Sequence, residues 1–200
     1  DTFESRASLA RQRAWLFERY CEGKPEIREE WFAGGPMTIL DAGCGAAMSA
    51  LLLFDGYLDA HHYIGVDISD AVFIARDRFI EAGFNGEFHK SDLLNMPVAD
   101  ESVDLIFSEG VLHHTDSVGT AIHALSSKLK PGGRFMFYVY AKKSPIREYS
   151  DDYIREQLAA MDNDAAWEAL IPLTKLGIAL GELGVTINVP EDVPLLGIKK

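Results

Sequence analysis

The chain has 200 residues, 48% of them apolar and 10% aromatic, which suits one folded domain with a sizeable core and excludes a disordered chain. Its 31 acids against 19 bases give a formal charge of −12, and no basic run is longer than the pair at Lys142-Lys143, so nucleic-acid phosphates are not expected as the main partner. Two cysteines, Cys21 and Cys44, no apolar run near the roughly 18 residues of a membrane span, and no signal-peptide core in DTFESRASLARQ point to a reducing, cytoplasmic setting; the absent initiator Met reads as a trimmed or partial chain.

In chain order, residues 8–21 carry Leu9, Trp15, Leu16 and Tyr20 at helical spacing, with Ser8 as a candidate cap. Residues 29–35, EEWFAGG, end in a Gly-Gly stop. Trp31 and Phe32 read as core residues, or as aromatics closing over a ligand. Then comes MTILDAGCGAAM over 37–48: an apolar run ending at Asp41, Gly43 and Gly45 one residue apart, then small residues. That order is a buried strand, a tight glycine turn and a helix over 46–54. Glycine serves where φ is positive or a ligand approaches the backbone, and the free N–H groups of the next helix face whatever lies over the turn.

Two cofactor classes use such a turn. The dinucleotide fingerprint G-x-G-x-x-G/A requires a small third residue, but that position holds Met48. A nicotinamide oxidoreductase is therefore the weaker reading. The pattern D-x-G-x-G-x-G needs a small residue at 47, and Ala47 qualifies. Asp41-Ala42-Gly43-Cys44-Gly45-Ala46-Ala47 resembles motif I of the class I S-adenosylmethionine-dependent methyltransferases, with Ala for the last Gly.

The run 62–68, HYIGVDI, reads as a second strand, followed by a helix opening at Ser69 and Asp70 and ending near Ala82. In the family an acid at this strand end accepts both ribose hydroxyls, and Asp67 matches, with Ile68 beside it. Residues 87–92, EFHKSD, read as a third strand. The family's acid here meets the adenine amino group and the next residue packs on the ring; Asp92 and Leu93 match. Residues 97–102 form a polar loop.

Residues 102–109, SVDLIFSE, are a continuous apolar strand suited to the centre of a parallel sheet. The following Gly110-Val111-Leu112-His113-His114 resembles the ubiquinone/menaquinone C-methyltransferase-like branch. That resemblance puts Ser108, Glu109 and Gly110 at the reacting end and offers His113 or His114 as general base or substrate orienter. Adjacent residues on a helix point to different sides, so at most one His is expected to face the substrate. A helix over 120–130 is expected to stop at Pro131-Gly132-Gly133 before a fifth strand over 134–141. The histidine pairs at 61–62 and 113–114 lack ligand spacing, so no metal is expected.

Alternating strand and helix calls for a Rossmann-like, doubly wound, mostly parallel α/β sheet with helices on both faces, and Asp41, Asp67 and Asp92 all fall at strand carboxyl ends, where ligands bind in such sheets. The expected organisation is an N-terminal helical segment (1–36), a cofactor-binding core (37–142) and a helical substrate-side or lid segment (143–200) interrupted near Pro172. Arg147 and Tyr149 could clamp an acidic substrate group, and Val185–Val189 is the one candidate for the strand hairpin that usually closes such sheets. The resemblance implies methyl transfer from S-adenosyl-L-methionine to a small molecule by in-line displacement. The alternative is a catalytically inactive S-adenosylmethionine-binding partner subunit.

Overall fold

The computed structural model describes residues 6–140 and 145–184, with side chains as far as Tyr140 and again from Ser150. Two compact units divide between Tyr140 and Ala141. The first holds α1 (Arg6–Cys21), α2 (Pro25–Phe32), β1 (Thr38–Ala42), α3 (Met48–Leu53), β2 (His62–Asp67), α4 (Ala71–Glu81), β3 (Glu87–Lys90), β4 (Val103–Glu109), α5 (Val118–Ser126) and β5 (Leu129–Tyr138). The second holds α6 (Pro145–Leu158) and α7 (Asn163–Glu182).

The five strands form one sheet in the order β3-β2-β1-β4-β5, and every pairing is parallel. Parallel strands need covered faces, and side-chain alternation supplies them. Ile39 faces a core shared with Leu16, Phe54, Val72 and Phe79 from α1, the α3 end and α4. Leu40 and Ala42 face a second core shared with Ala121 and Leu125 of α5. Strand order reverses between β1 and β4, the place where an open α/β sheet leaves a crevice at its carboxyl edge.

Several boundaries differ from expectation. Ser8 lies inside α1, not at its cap. The helix after the glycine turn starts at Met48, because Ala47 sits in the left-handed region at φ 59°. β2 stops at Asp67 and β3 at Lys90, so Ile68 and Asp92 belong to the loops beyond. The expected helix over 120–130 ends at Ser126, and Pro131-Gly132-Gly133 does not stop it. Those three residues lie within β5 as an irregularity, since Val103 pairs with Leu129 while Leu105 pairs with Arg134. A bulge of this kind accommodates a proline that cannot donate to the ladder.

In the second unit, α7 runs through Pro172 instead of breaking there. Proline removes one N–H from the helix ladder, and the cost is absorbed within an otherwise well-formed helix capped by Asp162. All strand pairing among the described residues is parallel, with no closing hairpin; Val185–Val189 lies outside the described residues, as do the side chains of Arg147 and Tyr149.

Candidate cofactor site at the strand tips

Two cavities open at the carboxyl edge of the first unit, one on each side of Gly43. The first, of about 410 Å3, is lined by Asp41, Gly45, Met48, Arg78, Phe107 and Glu109 among others. The second, of about 530 Å3, is lined by Asp67, Ile68, Asp92, Leu93, Val111 and His114 among others. Both sizes fall in the range of small-molecule sites, and Gly43 lines both.

The glycine turn is held from several sides. The Gly43 and Cys44 N–H groups donate to the Val66 carbonyl at 2.7 and 3.0 Å. A Cβ at Gly43, where φ is +80°, would come within 2.4 Å of the Val111 methyls. That contact shows how closely the turn after β1 approaches the segment after β4, and why no larger residue fits there. At Gly45, an added Cβ would meet nothing within 4 Å. The Gly45 N–H donates to Asp67 Oδ2 at 2.7 Å, so the acid of β2 pins the turn of β1. Asp67 Oδ1 also accepts from the Ser69 N–H at 2.8 Å and the Ser69 hydroxyl at 2.6 Å.

Asp41 is buried, at 3% exposure, and its Oδ2 accepts from the Tyr63 hydroxyl at 2.6 Å. Burial, helped by the nearby charges of Asp67 and Glu109 and opposed by the Tyr63 bond, pushes its pKa up to about 7. Burial also pushes the Cys44 thiol up, which keeps this cysteine protonated and inert within the turn.

Glu109, at the end of β4, projects into the first cavity and is grasped by α1. The Tyr20 hydroxyl donates to its Oε2, and Arg19 Nη1 lies 3.4 Å from its Oε1. The Arg19 guanidinium is sandwiched between the rings of Trp15 and Tyr138, at 3.6 and 3.2 Å from their centroids. Burial raises the pKa of Glu109, while the Tyr20 bond and Arg19 counteract it. Tyr20 is thus the N-terminal aromatic at the site. Trp31, considered for that role, instead lies with Met37, Asp104 and Gly133 at the opposite, amino-terminal end of the strands, and with Phe32 belongs to the core.

The other residues singled out in the sequence divide as follows. Asp92 is exposed and accepts from the Leu94 N–H at 2.8 Å, forming a turn that presents buried Leu93 to the second cavity. Ile68, 70% exposed, lies at the rim of that cavity. Ser108 lines neither cavity; it is fully buried and donates to the Ala42 carbonyl at 2.8 Å, tying β4 to β1. Gly110, at φ +71°, leads into a 3-10 turn over Leu112–His114. The two histidine rings lie against each other, 4.1 Å apart, instead of diverging. His114 lines the second cavity. His113 stacks on Tyr140 at 4.1 Å, accepts from the Tyr140 N–H at 3.4 Å, and has a buried Nε2 that pairs with no group among the described residues. Burial and the neighbouring His114 lower its pKa.

Arg19, Tyr20, Tyr63 and Arg78 had no signal in the sequence as site residues. Each arrives from an element distant in the chain, and only the fold brings it to the tips.

The donor set suits an adenosine-bearing amino-acid derivative. Carboxylates at Asp67 and Asp92 with an apolar floor of Leu93 and Val111 fit ribose hydroxyls and a purine, and carboxylates at Asp41 and Glu109 fit a cation beyond them. Residues 40–137 match the family described as Methyltransferase domain (Methyltransf_11). The human protein Probable tRNA methyltransferase 9B is 35% identical over 133 residues, covering 62% of this chain and 26% of that protein. Methyltransferase nsrG of Aspergillus novofumigatus is 31% identical over 133 residues, covering 60% of this chain and 49% of that protein. This chain therefore spans half or less of the curated relatives it matches. Among solved structures, YcgJ of Bacillus subtilis superposes with a TM-score of 0.55 at 26% identity, covering 67% of this chain and 57% of that one. A Methanococcus maripaludis protein provisionally assigned as an S-adenosyl-L-methionine-dependent methyltransferase shares the fold, with a TM-score of 0.50 at 18% identity over 94% of this chain and 87% of that one. Residues 40–137, just under half of the chain, thus carry the match to the methyltransferase-domain family, on a fold shared with the Methanococcus maripaludis protein.

Proposed function

We propose that the protein transfers a methyl group from S-adenosyl-L-methionine to a small-molecule acceptor by in-line displacement. The observation that carries this reading is the pair of cavities meeting at Gly43, one rimmed by Asp67 and Asp92 and the other by Asp41 and Glu109. When bound, the cofactor supplies an activated methyl group on a positively charged sulfur. Asp67 would accept from the ribose hydroxyls, and Asp92, Leu93 and Ile68 would hold the adenine. Asp41 and Glu109, with the turn at Gly43 and Gly45, would hold the methionine portion. Orientation of two reactants in a closed site can supply about 7–11 kcal/mol of barrier reduction, so the chain needs no elaborate catalytic machinery. A base adds about 10²–10⁴-fold where the acceptor must lose a proton. His114 lines the second cavity and His113 stacks against it, and lowering of the His113 pKa favours the neutral, proton-accepting ring.

Within the class, we read Leu112-His113-His114 as the mark of the ubiquinone/menaquinone C-methyltransferase-like branch. A second reading, methylation of tRNA, draws on relatives named as tRNA methyltransferases; the formal charge of −12 weighs against it. Transfer of labelled methyl groups to a panel of phenols, amines, carbon acids and bulk tRNA tests both. Label on a small acceptor is expected. Label on tRNA alone would move the assignment to the second reading, and tight cofactor binding with no label on any acceptor would favour an inactive partner subunit.

A further inference from the structure

Other arginines of the helical segment are engaged by the protein itself: Arg13 pairs with Asp55 at 3.1 Å, and Arg28 donates to the Leu53 carbonyl at 3.1 Å. Arg19 is different. Its guanidinium lies between Trp15 and Tyr138, two rings 5.9 Å apart and nearly perpendicular. Tyr138 pairs with Glu109 across the β4–β5 ladder, which sets Arg19 level with the strand tips. One N–H group reaches Glu109, at a long 3.4 Å, while Tyr20 gives that carboxylate its closer donor. Among the described residues Arg19 has no other hydrogen-bond or ion-pair partner, and its side chain is 21% exposed. A guanidinium carries five N–H donors and takes a carboxylate or phosphate through two of them in parallel. Here the rings hold it in place beforehand, which lowers the ordering cost of binding. Trp15 and Tyr140 beside it stay exposed, at 45% and 60%, and offer apolar surface to the body of a ligand.

We infer that Arg19 anchors an anionic group of the methyl acceptor, a carboxylate or a phosphate monoester, so that the acceptor's other end reaches the cavity lined by Glu109. This rests on the proposed methyltransferase reading and names the acceptor's chemical class within it. Arg19 is not among the residues lining the two cavities, so the anchor lies beside the cofactor's seat and not in it. In a chain of formal charge −12, an anionic acceptor needs a fixed cation at its site. The competing role for Arg19 is to brace Glu109 and nothing more. The test is NMR titration of three probes that share one ring, benzoate, phenyl phosphate and uncharged benzamide. They are added to the full chain saturated with S-adenosylhomocysteine, the demethylated cofactor, as wild type, Arg19→Met and Arg19→Lys.

The wild-type protein is expected to bind at least one of the two anions about 10–150-fold more tightly than benzamide, the range of hydrogen bonds to a charged group. The tighter of the two identifies the group as carboxylate or phosphate. In Arg19→Met the preference is expected to fall below about 3-fold while benzamide affinity stays within about 3-fold of wild type; Arg19→Lys, which keeps the charge without the fork, should retain part of it. A bracing role would weaken all three probes alike and overturn the inference, as would a preference left intact in Arg19→Met. If Arg19→Met does not fold, the lysine variant decides: a reduced preference with benzamide unchanged supports the anchor, and an undiminished preference or equal weakening of all three overturns it. Displacement of the anions by micromolar bulk tRNA would assign the fork to a nucleic-acid phosphate and overturn the small-molecule class. A wild-type protein that binds S-adenosylhomocysteine but shows no preference among the probes overturns the anchor and leaves the methyltransferase reading standing. Failure to bind S-adenosylhomocysteine overturns both.

Discussion

Asp41 and Asp67 are both strand-end carboxylates, yet their surroundings give them different behaviour. Asp67 has donors from Gly45 and Ser69 around it, whereas Asp41 is buried with one, the Tyr63 hydroxyl. The folded-state pKa of Asp41, raised to about 7, means that folding favours the protonated acid. The stability this contributes is fully present below the ordinary carboxylate pKa and is lost as pH rises through about 7. Thermal unfolding from about pH 5 to about pH 8 should therefore show a decline in wild type that is shallower in Asp41→Asn, which keeps an acceptor for Tyr63. Identical pH profiles would mean that Asp41 does not titrate in this window. Over the same window, ionisation of Asp41 should strengthen S-adenosylhomocysteine binding by supplying charge for the ligand's ammonium. For Asp67, removal in Asp67→Ala is expected to weaken cofactor binding by about 1–3 kcal/mol, the cost of losing hydrogen bonds to a carboxylate, and to lower the melting temperature because the Gly45 N–H loses its acceptor. Unchanged affinity by calorimetry would remove Asp67 from the ribose role.

At the scale of elements, the sequence announced the strands whose tips matter but not the helix that reaches them. The acids at 41, 67 and 92 are legible because each follows a short apolar or alternating run, and strand polarity alone sends them to one edge. Ser108 has the same kind of position, but its hydroxyl is fully buried and donates to the Ala42 carbonyl, tying β4 to β1 instead of facing a cavity. Pro131-Gly132-Gly133 looks like a helix stop, and local chemistry cannot reveal that the ladder to β4 resumes around it. Arg19 and Tyr20 look like ordinary α1 residues, and no local pattern predicts contact with a glutamate about 90 positions away. That contact makes α1 part of the site. Tyr20→Phe keeps the ring packed on Phe107 but strips Glu109 of its phenol donor. The variant should lose about 1–3 kcal/mol of stability, since a half-buried carboxylate is left short of a partner, and should bind S-adenosylhomocysteine more weakly. A melting temperature and affinity matching wild type would show that α1 holds Glu109 through Arg19 alone.

For the molecule as a whole, the chain divides into two compact units after Tyr140. The described residues that line the two cavities all lie between Asp41 and Thr120. The first unit also contains both apolar clusters, one on each face of the sheet. The second unit has a different character: among its described residues α7 buries none, and Trp167, Leu176, Ile178 and Leu180 are more than half exposed. No helix among the described residues is long and apolar enough to cross a membrane, so that surface is not a span. Segment 143–200 was expected to serve the acceptor side. A chain ending at Tyr140 should therefore fold cooperatively and bind S-adenosylhomocysteine within about 3-fold of the full chain, a difference under about 1 kcal/mol, while methyl transfer to the acceptor falls away. Both quantities are read from calorimetry and a labelled-methyl assay on the same two proteins. Loss of cofactor affinity on truncation would mean that the C-terminal helices complete the cofactor site, and full transfer activity in the shortened chain would place acceptor recognition within residues 1–140.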